Sequence, residues 1–126
     1  MSSKKWEGKT ILVVEDDEIS LEFLKELFDP YKINIIEVIN GKEAIEICKT
    51  NPDIDIVLMD VQLPVLNGRD AMKEIKKIRP DLPVIAQTAF AMSGDREKYL
   101  KEGFNSYISK PINLQELISI VEEYFD

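Results

Sequence analysis

Ile54–Pro64, IDIVLMDVQLP, is the stretch that decides the fold. Ile56 to Met59 is an unbroken apolar run, short enough for a strand covered on both faces, and it stops at Asp60, with Pro64 soon after. A lone Asp in that position ordinarily does no more than start a turn. Whether Asp60 does more depends on what the neighbouring strands bring to its side.

Working outward, the same unit recurs. Upstream, Thr10 to Val14 (TILVV) is a β-branched run that halts at three acids, Glu15, Asp16 and Asp17. A helix is predicted from Glu18 to Phe28, with Leu24, Leu27 and Phe28 on one face and Asp29-Pro30 ending it. Ile33 to Ile39 reads as a strand, Asn40-Gly41 as a turn, and Lys42 to Lys49 as a helix with Ala44, Ile45 and Cys48 facing inward. Downstream of Asp60 a helix is predicted over Gly68 to Ile78, a strand over Leu82 to Gln87 ending at Thr88, and a helix over Met92 to Glu102 stopped by Gly103. Asn105 to Ser109 is a short fifth strand before Lys110-Pro111, and Leu114 to Phe125 is a final amphipathic helix with Asn113 as its N-cap. Five strand–helix units imply right-handed crossovers and a doubly wound α/β domain with a parallel sheet, flavodoxin-like with strand order 2-1-3-4-5.

The length of 126 residues suits one domain, expected over 10–126. The polar start, 1–9, is expected to be a lead-in or linker with Trp6 resting on the sheet edge. With 44% apolar and 32% charged residues the chain reads as an ordinary globular domain, and no run approaches a membrane span or a signal core. A cytoplasmic domain without membrane contact is expected. The formal charge of −8 argues against direct nucleic-acid binding. The single cysteine, Cys48, has no disulfide partner and reads as a small buried hydrophobe. Histidine is absent, which excludes histidine-based acid–base catalysis and any phosphohistidine within the chain.

Ligands of open α/β sheets bind beyond the carboxyl ends of the strands. Here those ends carry Glu15/Asp16, Asp60, Thr88 and Lys110, whereas the second strand ends in Val38-Ile39. Three carboxylates within a few ångströms repel by about 4 kcal/mol per pair at an effective dielectric of about 20, so a cation belongs among them. An oxygen-only donor set with open positions suits Mg2+ better than a closed Ca2+ cage. A carboxylate flanked by Mg2+ and Lys110 can attack phosphorus, because both cations neutralise charge on the transferred group, while the Thr88 hydroxyl can donate to a phosphoryl oxygen.

Four fragments, ILVVEDDE (Ile11 to Glu18), LMDVQLPVLNG (Leu58 to Gly68), PVIAQTA (Pro83 to Ala89) and SYISKPI (Ser106 to Ile112), each lie at a strand end. In that order they resemble the response-regulator receiver domain of two-component signalling, from about Lys9 to the end of the chain. The resemblance implies Asp60 as phosphoacceptor, Glu15 and Asp16 as the acidic metal pair, and the Gln62 backbone carbonyl as a further metal ligand. It also implies Thr88 as the switch hydroxyl, Tyr107 as the switch aromatic, Lys110 as the conserved-role lysine, and a cis Lys110–Pro111 bond. The acidic triplet permits Glu15/Asp16 or Asp16/Asp17 as the metal pair. The first is preferred, since the family's pair directly follows the strand and Asp17 then caps the helix.

On this reading the donor is a histidine kinase or a histidine phosphotransfer domain, and the domain is a monomer or a weak dimer formed on phosphorylation. Phosphorylation is expected to draw Thr88 inward, let Tyr107 move from outside to inside, and reshape the surface of helix four, strand five and helix five. Ile19 and Phe23, one turn apart and off the core face, are expected to dock the donor's helices. Phe90 is expected to limit water access to the phosphoryl group. Of a free-standing regulator and a receiver of a hybrid kinase, the second is favoured, since TAFAMSGDREKYLKEGFNSYISKPI and KKWEGKT look like receivers attached to hybrid kinases. An Asp-nucleophile phosphohydrolase is disfavoured because it wants an acid where Gln62 stands, and a nucleotide module because no Gly-rich loop follows the first strand. A receiver-like interaction module that takes no phosphate is the remaining alternative.

Overall fold

The computed structural model describes residues 6–62, 67–89 and 94–125. Five strands, β1 (Thr10–Val14), β2 (Asn34–Val38), β3 (Ile56–Asp60), β4 (Val84–Thr88) and β5 (Ser106–Ser109), form one parallel sheet in the order β2-β1-β3-β4-β5. The crossovers are α1 (Glu18–Phe28), α2 (Gly41–Thr50), α3 (Gly68–Ile78) and α4 (Asp95–Glu102), and α5 (Leu114–Phe125) follows β5. The three central strands are buried at every position, which is why they read as continuous apolar runs; the edge strand β2 exposes Asn34 and Glu37 and buries only Val38.

The sheet divides the core in two. Leu12, Val14, Val57, Met59, Val84 and Ala86 face α2 and α3, packing on Ala44, Cys48, Ala71, Met72 and Ile75. The alternate residues Ile11, Val13, Ile56, Leu58, Ile85 and Ile108 face α1 and α5, packing on Leu21, Leu24, Phe28, Leu117 and Val121. Helix ends follow their caps: Asp17 accepts from the Ile19 N–H, Asn67 from the Asp70 N–H at 2.9 Å, and Asn113 from the Glu116 N–H at 3.0 Å. Gly103 ends α4 at φ 123°, a backbone conformation that favours glycine.

Several sequence expectations need correcting. Asn40 is not a turn residue but the N-cap of α2, its Oδ1 accepting from the Glu43 N–H at 2.9 Å, so that helix starts at Gly41. A 3-10 turn, Asp29–Tyr31, follows α1 where a plain stop was expected. The strands β2, β4 and β5 begin one or two residues later than their apolar runs, and α4 is assigned from Asp95 rather than Met92, residues 90–93 lying outside the described residues. Trp6 does not rest on an edge. It is 1% exposed, packed against Tyr31 at 5.0 Å and Phe125 at 5.9 Å between ring centroids.

Candidate functional site

The site forms where the carboxyl ends of β1, β3, β4 and β5 meet. Glu15 follows β1 with its backbone N–H on the Val38 carbonyl at 3.1 Å, which turns its side chain into the crevice at 0% exposure. Asp60, the last residue of β3, is 5% exposed. Its Oδ1 accepts from the Gln62 N–H at 2.8 Å and its Oδ2 from Lys110 Nζ at 3.2 Å. Lys110 is anchored by its own N–H on the Thr88 carbonyl at 2.8 Å, and its ammonium also reaches Glu15 Oε1 at 2.5 Å. The Lys110–Pro111 bond is cis, as the resemblance implied.

Asp16 completes the cluster from the exposed side: one carboxylate oxygen from each of Glu15, Asp16 and Asp60 lies within 4.8 Å of the others. At such separations each pair repels by about 3–4 kcal/mol at an effective dielectric of about 20, and one ammonium does not neutralise three carboxylates. The strain is visible in Glu15. Burial pushes its carboxyl up to about 6, a rise that the Lys110 hydrogen bond opposes and the Asp60 charge reinforces. Burial alone would lower Lys110, but its bond to Glu15 and the charges of Asp60 and Glu15 hold it above the ordinary lysine value. A hard divalent cation fits this all-oxygen donor set, since two of the three carboxylates are already buried and only partly balanced.

Asp17 takes no part in the cluster. Its carboxylate accepts from the Ile19 N–H at 3.2 Å and from Ser20 Oγ at 2.8 Å, which holds its pKa below the usual range. Of the two registers open in the acidic triplet, the geometry therefore brings Glu15/Asp16 to Asp60. Gln62 lies beside Asp60 through its backbone, while its side chain is exposed.

Thr88 ends β4 at 1% exposure. Tyr107 is half-buried on the α4 side of the sheet, stacked on Tyr99 with centroids 5.3 Å apart and planes at 18°. Its buried hydroxyl has no hydrogen-bond partner among the described residues. Tyr99 in turn lies under the guanidinium of Arg69, 5.1 Å from the ring centre, and Arg69 pairs with Glu102 at 2.6 Å. Ile19 and Phe23 are 80% and 44% exposed. With Ser20, Lys110, Pro111 and Ile112 they line a hollow of about 270 Å3 next to the site. Phe90 lies outside the described residues.

Two residues were missed by sequence reasoning. A Cβ on Gly68 would stand 2.5 Å from the Asp60 carbonyl oxygen and 2.6 Å from Val61 Cα, so glycine is required for α3 to approach the end of β3 so closely. The Asn-Gly pair at 67–68 was a visible signal, but its contact with Asp60 was not. Gln87, hidden in an otherwise apolar run, is fully buried with no partner for its carboxamide among the described residues.

Residues 11–122 match the family model of the response regulator receiver domain. The chain belongs to this family. It is 36% identical over 119 residues to the polar-differentiation response regulator DivK of Brucella anthropi, covering 92% of this chain and 95% of that protein. Among solved structures it is similar to the receiver domain of sensor histidine kinase PA1611 from Pseudomonas aeruginosa, described with a magnesium ion coordinated in the active-site cleft. That likeness has a TM-score of 0.84 and 33% identity over 94% of this chain and 98% of that one. It is also similar to a chain of the co-crystal structure of the Saccharomyces cerevisiae histidine phosphotransfer signaling protein Ypd1 and the receiver domain of its downstream response regulator Ssk1, with a TM-score of 0.81 and 30% identity, covering 94% of this chain and 89% of that one. The protein is thus a phosphoacceptor receiver domain of two-component signalling, with the five-stranded order that its sequence predicts.

Proposed function

We propose that Asp60 is the phosphoacceptor and that its donor is a phosphohistidine on a histidine kinase or histidine phosphotransfer domain. One observation carries this reading: the Asp60 carboxylate is gripped from both sides, by the Gln62 N–H on Oδ1 and Lys110 Nζ on Oδ2, with Glu15 and Asp16 gathered beside it. The chain holds no histidine, so the phosphoryl group comes from outside it.

In the transfer an Asp60 oxygen attacks phosphorus, the P–N bond to the donor imidazole breaks, and the electron pair of that bond returns to the ring nitrogen. Lys110 stabilises negative charge on the phosphoryl oxygens, and the Gln62 N–H fixes the rotation of the Asp60 carboxylate. Glu15, Asp16, Asp60 and the Gln62 carbonyl would hold Mg2+, which when bound supplies the remaining charge neutralisation. Thr88, buried at the end of β4, donates its hydroxyl to a phosphoryl oxygen. Its shift lets Tyr107 change its packing against Tyr99, changing the surface of α4, β5 and α5.

The apolar hollow bounded by Ile19 and Phe23 receives the donor's helices next to Lys110. The kinship with a receiver studied in complex with a phosphotransfer protein supports that class of partner. No helix among the described residues is long and apolar enough to cross a membrane, and we place the domain's work in the cytoplasm. Incubation with phosphoramidate or beryllofluoride plus Mg2+ tests the assignment: wild type acquires a Mg2+-dependent adduct and Asp60→Asn does not.

A further inference from the structure

Strand β4 contains, besides Thr88 at its end, one residue that a purely apolar core would not choose. Val84, Ile85 and Ala86 are buried hydrophobes, but Gln87 after them is 0% exposed, and neither Oε1 nor Nε2 has a hydrogen-bond partner among the described residues. Buried amides are almost always paired, so an orphaned one points to a partner that arrives in another state of the protein.

The register shows where that partner stands. Gln87 pairs with Asp60 of β3 on one side and Ile108 of β5 on the other. Side chains alternate along a strand, so Gln87 shares the α1/α5 face with Ile85, as Asp60 shares it with Leu58. Lys110 leaves the end of β5 and reaches Asp60 and Glu15. With strands ordered β1-β3-β4-β5, its arm must cross β4, and it does so at the end of the strand where Gln87 and Thr88 lie. An ammonium has three N–H donors, and the structure shows two of them used, on Glu15 and Asp60. The carboxamide is therefore an unpaired acceptor on the same sheet face as Asp60 and one strand away from it, and the ammonium that crosses this strand end has a donor to spare.

We propose that Gln87 is a positioning residue for phosphoryl transfer: Oε1 accepts from the Lys110 ammonium when Glu15 and Asp60 turn to a divalent cation, keeping the lysine aimed at the phosphoryl group on Asp60. The inference rests on the phosphoacceptor reading of Asp60 and adds a residue to it. Gln87 acts through Lys110 and does not touch the phosphoryl group itself.

The test uses Gln87→Met, which keeps length and removes both polar atoms. In the metal-free protein the variant unfolds at the same temperature as wild type or higher, because an orphaned amide has been replaced by a thioether. Its phosphorylation rate constant at saturating phosphoramidate and Mg2+ falls about tenfold while the half-saturating phosphoramidate concentration stays put, as expected for loss of one charge-assisted bond in the transition state. In wild type the nitrogen-15 side-chain amide resonances of Gln87, identified by their loss in the variant, move when Mg2+ and beryllofluoride are added. Rate constants within about twofold of each other overturn the proposal, as do amide resonances that stay fixed while the rest of the spectrum reports the adduct. A melting temperature lowered in step with the rate also overturns it, marking Gln87 as packing alone. A wild type that forms no adduct overturns the reading of Asp60 instead, and this inference with it.

Discussion

The two ends of the sheet treat polar groups in opposite ways. At the amino ends of the strands, half-buried side chains meet dedicated backbone partners. Asp55 accepts from the Thr10 N–H at 2.8 Å while its own N–H donates to the Thr10 carbonyl at 2.9 Å. Asn105 does the same for Val84, and Arg79 donates to the carbonyls of Asn51, Pro52 and Ile54. At the carboxyl ends, three carboxylates crowd together and the one ammonium bonds only two of them, a buried glutamine has no partner among the described residues, and burial raises the Glu15 carboxyl above its ordinary value. One end is finished by folding alone, whereas the other is left for a cation and a phosphoryl group to complete. Stability belongs to the first end and reactivity to the second.

Breaking the closed end should cost stability and spare the chemistry. Arg79→Ala leaves three carbonyls without their donor and is expected to lower unfolding stability by about 3 kcal/mol, measured by urea titration, with the phosphorylation rate of the folded fraction unchanged. A parallel loss of phosphorylation rate in protein that is still folded would show that the two ends are coupled.

The open end has its own signature in pH. The folded pKa of Glu15 is raised from 4.5 to about 6, so its contribution to stability is complete below about 4.5 and is lost as pH rises through about 6. Glu15→Gln cannot titrate there. In metal-free protein, wild type should therefore lose on the order of 2 kcal/mol relative to Glu15→Gln across that window. Lys110, its partner, is raised above an ordinary value of 10.5 and keeps its charge throughout the window. A constant difference between the two proteins from pH 4 to 7 would mean that Glu15 is as acidic folded as unfolded.

The smallest effect lies at the rim. Ile19→Asp places a charge in the hollow beside Lys110 without touching the carboxylates, and transfer from a phosphorylated histidine phosphotransfer partner should slow about fivefold while phosphorylation by phosphoramidate is unchanged. Equal slowing with both donors would place Ile19 in the chemistry rather than in docking.

This contrast also explains what the sequence made legible. Helices α1, α3 and α5 match expectation to the residue because caps are local: Asp17, Asn67 and Asn113 each bond a backbone N–H two or three positions on. The strand-end cluster was legible because burial on both faces writes strands as apolar runs, so that the acids ending the β1 and β3 runs are conspicuous. The choice within Glu15, Asp16 and Asp17 was less so, since it turns on a contest between capping α1 and facing Asp60. Asn40 was misread because an Asn-Gly pair signals a turn and a cap alike. Trp6 was misplaced because a lone aromatic in a polar segment has no periodicity, and its pocket is made by Tyr31 and Phe125, distant in sequence. Gln87 was read past, because alternation shows which face a side chain takes but not whether an amide there is satisfied.

The central claim is that Asp60 receives the phosphoryl group, and intact-protein mass measurement after incubation with phosphoramidate and Mg2+ tests it most directly. The account predicts one added phosphoryl group on wild type, none without Mg2+, and none on Asp60→Asn. A phosphoryl group still acquired by Asp60→Asn, or none on wild type under conditions where it is folded, would contradict it.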